Sequence, residues 1–154
     1  KALYKKTLSN GRVFFCLYLT MKKIEHIGIA VKDLKAANNL YSKLLNTSPY
    51  KIEEVDSENV NTSFFQIGES KIELLEGTSP DSPISKFIEN RGEGVHHIAF
   101  EVDDIEKEIA RLTKEGFQMI HEKPKDGADN KLIAFLHPKS SNGVLIELCQ
   151  EKVL

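Results

Sequence analysis

Cysteine is scarce: Cys16 and Cys149 are the chain's two, and neither lies in a Cys-x-x-Cys. Two cysteines make no disulfide framework, and the expectation from such usage is a cytoplasmic protein. Long apolar runs are lacking as well. None approaches the roughly 18 residues that a membrane-spanning helix needs, so no membrane role is expected. Nor is charge of one sign in excess, with 21 Lys and Arg against 23 Asp and Glu for a net charge of -2, which argues against a nucleic-acid partner. What remains is 154 residues, 40% hydrophobic and 29% charged. That is the composition of a globular chain long enough for one buried core and too short for a multidomain machine.

The average charge conceals a division. Residues 1–20 carry Lys1, Lys5, Lys6 and Arg12 and no acid, a charge of +4 that leaves -6 on the other 134 residues. Met21, followed by Lys22-Lys23 and the first clean strand pattern, reads as a natural start, with residues 1–20 an upstream extension that need not be native. A basic stretch before the apolar run Val13 to Leu19 also has the outline of a signal peptide or presequence, but no small-x-small cleavage site follows. An added strand or a docked arm is the plainer alternative. The extension is set aside from functional reasoning, and 21–154 is expected to be one domain.

That domain is built on a repeat. His26-Ile-Gly-Ile-Ala-Val-Lys-Asp-Leu34 aligns without a gap, at an offset of 71, with His97-Ile-Ala-Phe-Glu-Val-Asp-Asp-Ile105. Each copy is an alternating strand, an Asp (Asp33, Asp104) at a helix N-cap position, and a helix-period segment. The first helix is expected to bury Leu34, Ala37, Leu40, Tyr41 and Leu44; the second buries Ile105, Ile109 and Leu112 and ends at Gly116. Further strands are predicted at 62–67 and 71–75 and again at 131–136 and 144–149, with one more per half at 50–55 and 117–122. Each unit thus reads β-α-β-β-β, over 24–77 and 95–150. The linker 78–94 holds a short helix with Ser82 as N-cap and Pro83 in its first turn.

Alternation then sorts side chains by face. Ile27, Ile29 and Val31 must meet the helix, so His26 points the other way beside Gly28 and Ala30. The same reasoning places His97 and Ala99 together, and puts Glu73 and Glu147, each inside an Ile-Glu-Leu, on that face too. A single strand histidine is usually structural and a single strand glutamate usually solvated. Here both pairs occupy matching repeat positions, and an acid among apolar neighbours costs several kcal/mol unless it is paired. Two imidazoles and two carboxylates balance a divalent ion, in a mixed nitrogen and oxygen site suited to Co, Zn, Ni, Mn or Fe. His96 is expected on the opposite face as a structural group, and His121 and His137 near the surface. Glu101 either lines the cavity or is solvated, and Cys149 is expected to pack.

Four segments carry a resemblance: HIGIAVKDL at 26–34, KIELLEG at 71–77, SPISKFIENRGEGVHHIAFEVDDI at 82–105, and FLHPKSSNGVLIEL at 135–148. Together they resemble the vicinal oxygen chelate, or glyoxalase-like, superfamily and, within it, the methylmalonyl-CoA epimerase family. The resemblance implies an α+β fold in which two β-α-β-β-β modules form an open eight-stranded barrel-like sheet. It also implies one divalent metal ion per chain, cobalt foremost, with ligands matching His26, Glu73, His97 and Glu147. The implied substrate is a small acyl-CoA, the implied reaction inversion at C2 by proton removal and return, and the implied assembly a homodimer. Glu147 is the first candidate base. The strand where some members place a glutamate reads Val60-Asn61-Thr62-Ser63-Phe64, which leaves Glu58 and Glu101 as substitutes for the opposing acid. Lys123, Lys125, Lys131 and Lys139, around the last long loop, are candidates for the CoA phosphates, an ordinary solvated loop being the alternative. A glyoxalase I-type lactoylglutathione lyase and a metal-free binding protein are the competing readings. An extradiol dioxygenase fits less well, because Glu73 would be a surplus fourth ligand.

Overall fold

The computed structural model describes residues 3–7 and 13–17, as backbone, and residues 20–152. Strands β1 (Leu3–Thr7) and β2 (Val13–Leu17) pair with one another in a two-stranded antiparallel sheet. The extension expected at 1–20 therefore contains two paired strands, and residues 1–2, 8–12 and 18–19 lie outside the described residues. No helix among the described residues is long and apolar enough to cross a membrane.

From Met21 the chain follows the duplicated plan. The first unit is β3 (Met21–Ala30), α1 (Leu34–Leu45), β4 (Lys51–Val55), β5 (Val60–Ile67) and β6 (Ser70–Gly77). After α2 (Pro83–Arg91) the second runs β7 (Gly94–Val102), α3 (Ile105–Lys114), β8 (Lys125–Asp126), β9 (Lys131–Leu136) and β10 (Leu145–Glu151). Eight strands form one curled sheet in the order β4-β5-β6-β3-β7-β10-β9-β8. The first strand of each unit runs parallel to that unit's last, and β3 and β7 join the units antiparallel at the centre. The result is the glyoxalase-like open barrel.

Local chemistry accounts for the helix ends. The Asp33 carboxylate accepts from the Ala36 N–H at 2.9 Å and Asp104 from the Lys107 N–H at 3.0 Å, satisfying donors that each first turn leaves orphaned. Ser82 does the same for α2, with Pro83 in the first turn. Gly116, at φ 88, follows the end of α3 in the left-handed region where a side chain would be strained.

Helices α1 and α3 lie over the two wings of the sheet. Leu34 and Ala37 pack on Val31, Phe65 and Leu74, with Tyr41 and Leu45 alongside. Ile105, Ile109 and Leu112 pack on Val102, Ala134, Leu136 and Leu148. Two expectations are corrected. Leu40 and Leu44 are 62% and 69% exposed, because the buried row steps 34, 37, 41, 45 and leaves them on the adjoining, open side of the helix. Segment 117–122 is no strand: Ile120 and His121 turn both N–H groups onto the single carbonyl of Phe135, and Met119 makes an isolated bridge to Leu136. Pro124 has no N–H to offer, and the ladder resumes only at Lys125. Replacing fully buried Leu74 by Ala is expected to destabilise the chain by about 2–5 kcal/mol in urea denaturation. Leu40→Ala should cost no more than about 0.5 kcal/mol, and a cost like that of Leu74→Ala would mean α1 buries the other face.

Candidate metal centre

Helices α1 and α3 occupy one face of the sheet; the other, concave face holds a cavity of about 300 Å³ with the two histidines and the start of α2 in its wall. Strand register places the donors in two rows. In one, Gly28 stands between Glu73 on β6 and His97 on β7; in the other, Ala99 stands between His26 on β3 and Glu147 on β10. Each row alternates a donor, a small residue and a donor, and the rows exchange under the internal duplication. The small residues make room: a Cβ on Gly28 would lie 2.2 Å from the His97 ring.

The four donors converge. His26 Nε2 lies 2.8 Å from His97 Nε2, with the rings edge to face. Glu73 Oε2 is 3.3 Å from His26 Nε2 and 3.4 Å from His97 Nε2; Glu147 Oε2 is 3.6 and 3.1 Å from the same atoms. All four residues are at most 6% exposed. Burial works against ionising Glu73 and Glu147, yet the imidazoles outweigh it and hold both carboxyls down at about 2. Burial likewise opposes charging His26 and His97, and the carboxylates reverse it, raising both. The centre is thus a buried point of negative potential that draws positive charge. Donor spacings of 2.8–3.6 Å are those of ligands about 2.0–2.2 Å from a common ion, and two imidazoles with two carboxylates suit a divalent transition metal. The residues fit such an ion.

Two polar residues around the donors escaped the sequence reading. The β3–β7 pairing shifts register between Ile24 and His26 and between Gly28 and Ile29. The first shift turns Glu25, and the second His96, onto the concave side that strict alternation denied them. Glu25 Oε2 lies 2.5 Å from His26 Nδ1, and His96 Nδ1 lies 2.9 Å from His97 Nδ1. His96 is therefore not on the opposite face; it lines the cavity, and burial together with His97 pushes its pKa down to about 4. The available signal was the repeat itself, since Glu25 and His96 share the offset of 71.

The other candidates are scattered. Glu58 lines the cavity mouth in an ion pair of 2.5 Å with Lys125, so two residues proposed for different tasks hold one another. Glu101 lies outside the cavity lining and pairs with Lys22 and Lys23 at 3.7 and 3.4 Å. Lys131 is buried in the cavity wall against Glu25 and Glu151, rather than at the rim. Lys123 and Lys139 are exposed and away from the lining. Thr62, on β5, is buried in the wall and donates to the Glu53 carbonyl at 3.2 Å. His121, expected near the surface, forms part of the wall and accepts the Phe135 N–H at 3.3 Å. His137 caps the turn Pro138–Ser140. Cys149 is buried and its thiol pKa is pushed up by burial, which fits packing rather than reactivity.

A curled sheet of two β-α-β-β-β units with a two-histidine, two-glutamate centre defines a class. The chain belongs to the Glyoxalase/Bleomycin resistance protein/Dioxygenase superfamily, whose profile matches residues 25–135. Within that superfamily it is 38% identical over 130 residues to the ethylmalonyl-CoA/methylmalonyl-CoA epimerase of Cereibacter sphaeroides, covering 83% of this chain and 97% of that one. It is 41% identical over 132 residues to the uncharacterized protein YqjC of Bacillus subtilis, covering 86% and 94%. A Streptomyces coelicolor methylmalonyl-CoA epimerase variant, solved with 2-nitronate-propionyl-CoA, superposes with a TM-score of 0.83 at 34% identity over 87% of this chain and 97% of that one.

The crowding at Gly28 yields a direct expectation. Co2+ at about 100 times its dissociation constant should stabilise the native chain by about 2.7 kcal/mol, seen as a higher melting temperature. Gly28→Ala, which pushes His97 aside, should still fold and lose that rise; a full rise would show that His97 is not part of the centre.

Proposed function

We propose that the chain is a metal-dependent epimerase that inverts C2 of methylmalonyl-CoA. The observation that carries this reading is the buried centre of His26, Glu73, His97 and Glu147 at one cavity, in a chain similar over most of its length to methylmalonyl-CoA epimerases. His26, Glu73, His97 and Glu147 would hold a divalent ion, which would supply Lewis-acid stabilisation of the enolate.

The protein's own part is to hold the substrate and move one proton. Six carboxylates line the cavity, and their partners separate them. Glu58 pairs with Lys125, Asp126 with Lys152, Asp129 with Lys51 and Lys71, and Glu25 with Lys71 and Lys131. Among the described residues, Glu73 and Glu147 face imidazoles and no ammonium group. We assign Glu147 as the base that takes the C2 proton and Glu73, its counterpart in the other half, as the acid on the opposing face. They reach the histidines from opposite sides of the central strand pair, Glu73 from β6 and Glu147 from β10. Glu101, outside the lining, is set aside as the opposing acid, and Glu58, in the lining beside Lys125, stands as the alternative to Glu73. The CoA phosphates are assigned to the rim around Lys125, which is partly exposed beside Glu58, with exposed Lys123 two residues away; Lys131 is buried between Glu25 and Glu151.

Exchange of the C2 proton of methylmalonyl-CoA in deuterated water tests the reading. Metal-loaded protein is expected to catalyse it, chelator to stop it, and Glu147→Gln to slow it by about 10²- to 10⁴-fold. No exchange, alongside turnover of the glutathione hemithioacetal of methylglyoxal, would move the assignment to the lyase reading. Exchange undiminished by a chelator that strips the ion would remove the metal from the mechanism.

A further inference from the structure

Glu25 has no place in the proton transfer just described, yet it is 3% exposed and touches a proposed ligand. A carboxylate in such a position costs several kcal/mol unless it is fully paired. Its pairing is extensive. One oxygen faces His26 Nδ1 at 2.5 Å, while the other receives Lys71 Nζ at 2.5 Å and lies 3.3 Å from Lys131 Nζ. Lys71 is held in turn by Asp129 Oδ2 at 2.7 Å, which also accepts from the Tyr50 hydroxyl at 2.8 Å. Two lysines from different halves of the chain thus clamp Glu25 in one orientation, its second oxygen against the His26 ring.

Imidazole has two tautomers, and a histidine that offers a lone pair at Nε2 must carry its proton on Nδ1. An acceptor fixed at Nδ1 selects that tautomer and the ring orientation together. At the matching position of the second half the residue is His96, which presents a neutral nitrogen to His97 Nδ1 at 2.9 Å and stacks edge to face on Phe87. The two ligand histidines therefore have unlike backing, an anion for His26 and an imidazole for His97.

We infer that Glu25 is a positioning residue for the metal centre: turned inward by the β-bulge and clamped by Lys71 and Lys131, it holds His26 with Nε2 free to bind the ion. This rests on the metal reading of the preceding subsection. His96 serves His97 in the same way and more weakly, because its acceptor carries no charge.

The test is the dissociation constant for Co2+, measured by competition with a chromogenic chelator, together with the cobalt absorption spectrum. Native protein is expected to bind one Co2+. Glu25→Ala should weaken binding about 10- to 100-fold and change the cobalt spectrum. Glu25→Gln, which keeps an acceptor oxygen without the charge, should restore most of the affinity, and His96→Asn should cost less than Glu25→Ala. An affinity and spectrum unchanged in Glu25→Ala would overturn the proposal while leaving the metal reading intact. Should Glu25→Ala not fold, Glu25→Gln decides: a spectrum and affinity identical to native overturn it, and a measurable loss supports it. Native protein that takes up no Co2+ would overturn the metal reading and this inference with it.

Discussion

Everything at the centre depends on the antiparallel pairing of β3 with β7. Among the described residues it is the one place where the two halves share a hydrogen-bonded ladder, and its register sets Gly28 opposite His97 and Ala99 opposite His26. Each histidine can lean over its neighbour because the neighbour is small. The parallel partners β6 and β10 then bring Glu73 beside Gly28 and Glu147 beside Ala99. One ladder, repeated outward once on each side, turns two copies of a short motif into a single four-donor site.

Charge governs what surrounds that ladder. Buried carboxylates are tolerated where they meet cations or hydrogen-bond donors, and the cavity separates these cases. Around the four donors, ammonium groups neutralise Glu25, Glu58 and Asp129. These contacts join strands at opposite ends of the sheet order: Tyr50 and Lys51, at β4, reach Asp129 in the loop after β8, and Glu58 reaches Lys125. Side chains thereby close a barrel that the backbone leaves open. At the middle, Glu73 and Glu147 have imidazoles for company, and that concentration of negative charge is what a divalent ion relieves.

Local rules carried much of this in advance. The period-2 alternation of 26–31 and 97–102, the offset of 71 between the histidines and the repeated Ile-Glu-Leu that holds the glutamates suffice to name His26, Glu73, His97 and Glu147 as one set. What stayed hidden depends on non-local geometry. Glu25 and His96 face the cavity because bulges break the alternation, and a bulge is a property of two paired strands rather than of one. The Glu58–Lys125 pair joins residues 67 apart in the chain across the mouth of the cavity, and no spacing rule announces it. Leu40 and Leu44 have the apolar character of a core stripe, but a helix over the wing of a sheet buries a narrower face than its composition allows. Segment 117–122 has strand-forming residues and lacks the free backbone partners to use them.

The account makes the site a joint product of the two halves, and a crystal structure of the cobalt-loaded chain tests that most directly. Anomalous scattering should show one cobalt per chain within bonding distance of His26 and Glu73 from the first half and His97 and Glu147 from the second. Cobalt bound by residues of one half alone, or its absence from this position at saturating concentration, would contradict it.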